Sequence, residues 1–300
     1  MAQSIQSATP LQAWIAAARP RTLPASAAPV LAATALALRN GAFHLPSALA
    51  CLLISLLMQI VANFANDLFD HEHGVDTNAR LGPTRVIAAG LIAPRQMRRA
   101  ILLTLAFTCL LGLFLALRGG WPVILLGLAI ILAALLYSGG PKPYGYYALG
   151  DLFVFLCFGV AAVCGTYYVQ ALTLPLSAWW VSAPIGLLIV NILVVNNTRD
   201  ITTDKATNKR TLAVLLGRQA MLLEYMTCIA AAYLIPLGLW IFGLIPVGGL
   251  LSWISLPQAV ILFRRFSQSD GRSLNKTLAD TAQLAFIYTV LFSIGILIMR

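Results

Sequence analysis

Asn63-Phe64-Ala65-Asn66-Asp67-Leu68-Phe69-Asp70 closes an apolar run that begins near residue 46, and Asp76 follows it. On a helix, Asn63, Asn66, Asp67 and Asp70 fall at relative positions 0, 3, 4 and 7, so their oxygens share one face. About 130 residues later Asn196-Asn197-Thr198-Arg199-Asp200 closes a second apolar run, and Asn196, Asp200 and Asp204 repeat the spacing at 0, 4 and 8. Amides and carboxylates at the ends of hydrophobic helices form banks of hard oxygen ligands, which suit magnesium bridging to phosphate oxygens.

Composition places these clusters in a membrane. The 300 residues are 60% hydrophobic and only 10% charged, with a mean hydropathy of +0.85, far from the roughly one-quarter charged fraction of a soluble globule. Apolar runs at roughly 22–39, 46–66, 98–117, 121–138, 150–171, 178–198, 220–243, 246–263 and 281–299 each approach the length of a spanning helix. The expected fold is therefore all-α, a single domain over residues 1–300 with about nine transmembrane helices. Pro24, Pro29 and Pro257 predict kinks in the first and eighth spans.

The charges sort across this arrangement. With the N-terminus cytoplasmic, 17 of the 20 basic residues lie on the inner side, and only Arg39, Arg118 and Arg300 lie outside. All ten acids fall on the inner side as well. The chemistry is expected to face the cytoplasm, in segments 67–97 and 199–219, and the net charge of +10 reads as orientation and attraction to anionic lipid or substrate, with no nucleic-acid partner. Residues 1–21 lack a signal-peptide pattern, and Leu11, Trp14, Ile15 and Ala18 make a stripe expected of an interfacial helix. Cys51, Cys109, Cys157, Cys164 and Cys228 show no CxxC pair and read as packed thiols.

Arg80 and Arg85 follow the first cluster, and Lys205, Lys209 and Arg210 follow the second; such cations complement phosphate oxygens. Each has a plainer reading too. An Asp at a helix end is ordinarily a cap, and inner-loop basic residues ordinarily set topology. Arg95, Arg98 and Arg99 open a helix and read as headgroup anchors, His71 and His73 as exposed loop residues, and Trp179 and Trp180 as an outer interfacial belt. Intramembrane acids also mark ion-coupled transporters, which stays open as a rival class.

The first cluster with Gly74-Val75-Asp76, and Asn196 to Asp204 with Asn208-Lys209-Arg210-Thr211-Leu212, resemble the two aspartate-rich motifs of the UbiA superfamily of intramembrane aromatic prenyltransferases. Ala18-Arg19-Pro20-Arg21-Thr22-Leu23, Gly82-Pro83-Thr84-Arg85, Pro143-Tyr144-Gly145-Tyr146 and Leu149-Gly150-Asp151 are similar to its MenA-type branch, which acts on 1,4-dihydroxy-2-naphthoate. The resemblance runs from about residue 14 to 218, the last three spans adding only hydrophobicity. It implies a bacterial inner-membrane enzyme that joins a polyprenyl diphosphate to the naphthoate, with decarboxylation, to give demethylmenaquinol for menaquinone. Prenyl or phytyl transfer to 4-hydroxybenzoate or homogentisate is the alternative acceptor chemistry.

On that resemblance Asn66, Asp67, Asp70 and Asp76 would hold one Mg2+, and Asp200 and Asp204 with Asn196 and Asn197 another. Asp67, Asp70, Asp200, Asp204 and Lys209 would carry the catalysis, with Arg85, Arg80, Lys205, Arg210 and Asn63 toward the diphosphate. Arg19 and Arg21 are candidates for the acceptor's carboxylate, and Tyr137, Tyr144 and Tyr146 for the cavity wall. Lys142 and Asp151 receive no defined role.

Overall fold

A 3.6-residue period in nearly continuous apolar sequence leaves helices as the only elements that satisfy their own backbone in lipid, and helices are what form. The computed structural model describes residues 9–75, 80–83 and 85–298; Asp76, Thr84 and Arg300 lie outside the described residues. In chain order the helices are α1 (Pro10–Ala18), α2 (Leu23–Arg39), α3 (Leu45–Glu72), α4 (Pro94–Gly119), α5 (Trp121–Leu136) and α6 (Gly150–Ala171). There follow α7 (Leu176–Arg199), the short α8 (Ile201–Ala206), α9 (Leu212–Ile241), α10 (Val247–Gln268) and α11 (Leu274–Ile298). Among the described residues there is no strand, only an isolated bridge between Tyr147 and Arg210.

Among the described residues, seven of these helices, and α1 with α2 taken together as Pro10–Arg39, are long and apolar enough to cross a membrane, and α5, at 16 residues, is a shorter ninth. The nine expected runs therefore correspond to nine helices. Their ends differ. α3 runs to Glu72, so the whole first cluster is helical and the following loop starts later than residue 67. The segment 199–219, expected as a loop, holds α8 and the start of α9, which is broken at Gly217 by a left-handed φ of 77°. α6 passes through a π-helical stretch at Phe155–Ala161, where Gly159 meets Gly186 of α7 so closely that an added Cβ would lie 2.9 Å from its Cα. Pro24 sits in the first turn of α2, and Pro257 in the first turn of the α-helical part of α10 that follows its 3₁₀ stretch Val247–Ser255, where a missing N–H costs little, while Pro29 lies inside α2.

The interior has two main apolar clusters. α1, α3 and α4, with α5 beside them, gather Ala17, Val61, Phe64, Leu68, Met97 and Ile101. Residues of α2, α6, α7, α9, α10 and α11 form the other, around Leu36, Ile185, Leu188, Tyr225, Tyr288 and Phe292. α11 packs along α2, joining the end of the chain to its beginning. α1 turns Ala13 and Ala17 inward, while Leu11 and Ile15 of its expected stripe are exposed. Of α5 only Ala133 is buried; Ile124, Leu125, Leu128 and Leu132 face outward, as lipid-facing residues do.

Close approach is concentrated at small residues. A Cβ on Gly295 of α11 would fall 1.8 Å from the carbonyl oxygen of Gly248 in α10. Gly295→Ala should therefore push these helices apart and destabilise the fold by about 1–3 kcal/mol, read as a lowered unfolding midpoint in detergent. Gly112→Ala, where nothing lies within 4 Å, should leave that midpoint unchanged or raised.

Candidate functional site

The two motif segments meet at one end of the bundle. The last turn of α3, the end of α7 and all of α8 surround a small polar chamber lined by Asp70, Arg80, Arg85, Asn196, Asp200 and Asp204, with Val75, Thr203 and Lys209 completing it. Two clusters separated by about 130 residues of sequence thus share one space.

Only one face residue of the first cluster lines it. Asp70 is buried, pairs with the buried Arg85 guanidinium, and accepts a 2.7 Å hydrogen bond from the Tyr146 hydroxyl. Asp67, one turn back, turns to backbone: Val86 N donates to Oδ2 at 3.2 Å and Ile87 N to Oδ1 at 3.4 Å. It thereby holds the turn that carries Arg85. Asn66 Oδ1 accepts from Ser138 Oγ at 2.6 Å. Asn63 Nδ2 donates to the Ala18 carbonyl at 2.9 Å and to Thr22 Oγ1 at 3.2 Å, tying α3 to the N-terminal segment. Asn63, Asn66 and Asp67 share a helical face with Asp70, yet they anchor the chamber's surroundings.

The second cluster is organised by a residue to which the sequence assigned only topology. Arg199, 4% exposed, sends Nε to Asp200 Oδ1 at 2.8 Å, Nη2 to Asp200 Oδ2 and to Asn196 Oδ1 at 2.9 Å, and Nη1 to Asn275 Oδ1 at 2.8 Å. Asn275, on α11, returns Nδ2 to the Leu81 carbonyl at 3.0 Å. Gly82 lies against this guanidinium, where an added Cβ would come 2.8 Å from Nη2. One network thus links the last span, the second cluster and the loop bearing Arg80 and Arg85. No motif spacing marks Asn275; its polarity in the first turn of an apolar helix was the available signal.

Asp204 is also buried, with Lys209 Nζ 3.8 Å from Oδ1 and no hydrogen bond to Oδ2 among the described residues. Burial, opposed by Lys209 and reinforced by Asp200, pushes its carboxyl up to about 6. Asn197 is buried, its Oδ1 without a partner, and is outside the chamber lining. Lys209 Nζ sits 5.3 Å from the centroid of the Tyr146 ring, and Arg210 N donates to the Tyr146 carbonyl at 3.0 Å. Lys205, the Arg210 side chain and Arg21 are exposed. Arg19 is half-buried at the α1–α2 junction and interacts electrostatically with Arg85, Arg80, Asp67 and Asp70.

Beside the chamber, Tyr137 and Tyr144 pack edge to face at 5.5 Å, and the Tyr144 hydroxyl is committed to the Ala133 carbonyl at 2.7 Å. Burial, then the nearby Asp151 and Asp70, pushes the Tyr137 phenol up, so it stays a hydroxyl donor. His71 and His73 are exposed.

Hard oxygen donors on two sides and a carboxylate oxygen penalised by burial fit a divalent cation. Among the described residues no three His, Cys, Asp or Glu side chains converge on one point, because Arg85 and Arg199 hold Asp70 and Asp200. The donor set therefore fits an ion that arrives with a polyanion able to engage these guanidinium groups.

Residues 26–293 match the UbiA prenyltransferase family. The chain belongs to that family. It is 35% identical over 299 residues to the 1,4-dihydroxy-2-naphthoate octaprenyltransferase of Escherichia coli (strain K12), covering 96% of each chain. It is 38% identical over 277 residues to the protein of the same name from Mycobacterium tuberculosis, covering 92% of this chain and 94% of that one. Among solved structures, a UbiA homolog from Aeropyrum pernix K1 aligns with a TM-score of 0.71 at 16% identity over 90% of this chain and 97% of its own. The Archaeoglobus fulgidus UbiA homolog bound to DMAPP and Mg2+ aligns at 0.67 and 15% identity, over 94% and 99%. These likenesses carry the fold; family membership with nine apolar helices makes this a multi-pass membrane protein.

Asn275→Ala should release both Arg199 Nη1 and the Leu81 carbonyl, costing about 1–3 kcal/mol of local order. Hydrogen exchange should then accelerate at the Val86 and Ile87 amides while the amides of central α7 stay protected.

Proposed function

We propose that this protein transfers a polyprenyl group from an allylic polyprenyl diphosphate to 1,4-dihydroxy-2-naphthoate, releasing carbon dioxide and diphosphate and giving demethylmenaquinol for menaquinone synthesis. The observation that carries the reading is the single chamber in which Asp70, Asp200 and Asp204 stand with Arg80, Arg85 and Lys209. The names of the relatives in Escherichia coli and Mycobacterium tuberculosis support the same donor and acceptor classes.

Each set of residues has a part. Arg85 and Lys209, with Arg80, grip the diphosphate and disperse the charge that builds as the allylic C–O bond breaks. Asp70, Asp200 and Asp204, with Asn196, would hold magnesium, and Asn66, Asn197 and Asp76 remain its outer candidates. When bound, the metal neutralises the leaving diphosphate. Asp67 contributes by holding the Arg85 turn through the Val86 and Ile87 amides. Tyr146 fixes Asp70 and offers its ring to Lys209. The surrounding apolar helices take the prenyl chain and exclude water that would quench an allylic cation. Arg19 or Arg21 would meet the acceptor's carboxylate. The positive-inside pattern orients the chamber toward the cytoplasm of a bacterial inner membrane.

The purified full chain in detergent, given Mg2+, octaprenyl diphosphate and dihydroxynaphthoate, should yield the decarboxylated prenyl product by mass spectrometry. Asp70→Ala and Asp200→Ala should each cut turnover by about 10²–10³-fold, and chelation of the metal should abolish it. Product formed from 4-hydroxybenzoate in place of the naphthoate would reassign the acceptor, and no turnover with either would return the transporter reading. A reporter fused after residue 300 should be extracytoplasmic, as nine spans require; a cytoplasmic signal would reverse the assigned orientation.

A further inference from the structure

Asp151 lies in the first turn of α6 and is not among the residues that line the polar chamber. Its side chain is buried, 6% exposed, and Oδ1 accepts no hydrogen bond. An acid in a helix's first turn usually faces water or caps free amides. Its own backbone amide is the one donor that reaches the carboxylate, Oδ1 is left without one, and no cation pairs with it among the described residues. A buried carboxylate oxygen in an apolar wall without a donor is a costly arrangement, and such exceptions call for a partner.

Position shows which partner. A Cβ on Gly150, next in the chain, would lie 3.7 Å from the Tyr137 hydroxyl. Tyr137 interacts electrostatically with Asp151 and also with Asp70 and Asp204 of the chamber. Its hydroxyl, unlike those of Tyr144 and Tyr146, makes no hydrogen bond among the described residues. Away from the chamber, Glu224 and Cys228 of α9 are the titratable groups that interact with Asp151. Asp151 and Tyr137 therefore neighbour each other next to the chamber without lining it. An acceptor ring drawn up to the chamber to meet the allylic carbon would come within reach of this pair.

We propose that Asp151 Oδ1 is the base that takes the acceptor's hydroxyl proton, with the Tyr137 hydroxyl oriented beside it as a donor to the same ring. The assignment rests on the prenyl-transfer reading above. As the allylic C–O bond breaks toward diphosphate, the ring carbon bearing the carboxylate forms the new C–C bond. The adjacent hydroxyl's O–H pair becomes the C=O pair of a ring ketone, and its proton passes to Asp151. The carboxylate then leaves as carbon dioxide, its bonding pair returns to the ring, and the ketone oxygen recovers the proton from Asp151. No proton is gained or lost overall, so a single carboxylate with one unpartnered oxygen suffices.

The test compares ring coupling with ionisation of the donor. In the full-length protein, Asp151→Asn should lower ring prenylation by about 10²–10⁴-fold. Binding of a non-ionising thiolo-diphosphate analogue and slow prenol formation without acceptor should stay within about threefold of the parent, the expected lack of effect for a residue outside the diphosphate site. Asp151→Glu should recover part of the coupling. Parent-like coupling by Asp151→Asn, or equal loss of coupling, prenol formation and analogue binding, would overturn the assignment. Independently of any variant, the unaltered protein should fail to couple an acceptor methylated at the hydroxyl next to the carboxylate-bearing carbon, yet couple the isomer methylated at the other hydroxyl. Equal coupling of both ethers would remove the proton step. An unaltered protein inactive toward dihydroxynaphthoate itself would instead defeat the prenyl-transfer reading, a separate result from coupling that persists without Asp151.

Discussion

Charges at the mouth of an apolar bundle must be neutralised locally, and the arrangement of this protein follows from how that is done. Asp70 is held by Arg85, Asp200 by Arg199, and Asp204 is approached by Lys209. A buried carboxylate stripped of its partner costs about 3–5 kcal/mol, several times the cost of losing a surface pair. Each ion pair therefore fixes backbone as well as charge: Arg85 draws the loop after α3 over the chamber, and Arg199 locks the end of α7 against α11 through Asn275. The resulting site is poised between two ways of balancing its carboxylates. Internal guanidinium groups serve in this structure; on the proposed reading a metal with a diphosphate would serve in the other, and the guanidinium groups would turn to phosphate oxygens.

The bundle supplies what this chemistry needs. Paired glycines at α6–α7 and α10–α11 let backbones approach closely, the means by which helices associate in lipid without a hydrophobic driving force. Packing of α11 along α2 closes the architecture and delivers Asn275 to the chamber. α4 and α5 present outward leucines and isoleucines to lipid. The buried carboxylates and guanidinium groups of the chamber therefore gather at one end, while the spans bury mainly apolar side chains with scattered hydroxyls and amides, a division suited to a substrate with an anionic head and a hydrocarbon tail.

Much of this was legible from residue order alone. Nine apolar runs, the sidedness of Lys and Arg, and the 3- and 4-residue spacing of Asn and Asp in both clusters are local properties, because helix periodicity and span length depend only on neighbours in the chain. Those properties gave the helix count and the family motifs that the comparisons bear out. Shared spacing could not say which members of a face would open onto the chamber. Asn63, Asn66, Asp67 and Asp70 have equivalent local signals, yet Ala18, Ser138 and the Val86 and Ile87 amides claim the first three. Those partners come from segments up to about 70 residues away.

What residue order determined by itself is an all-helical membrane chain with two helix ends rich in Asn and Asp, since hydrophobicity and periodicity are written locally. Only the tertiary structure decided that Asp70 faces the chamber while Asp67 holds its rim, that Arg199 and Asn275 organise the second cluster, and that Asp151 lies buried with an oxygen unspent. Hydrogen-bond partners are allotted by long-range packing, and a side chain's chemistry is settled by the partner it finds.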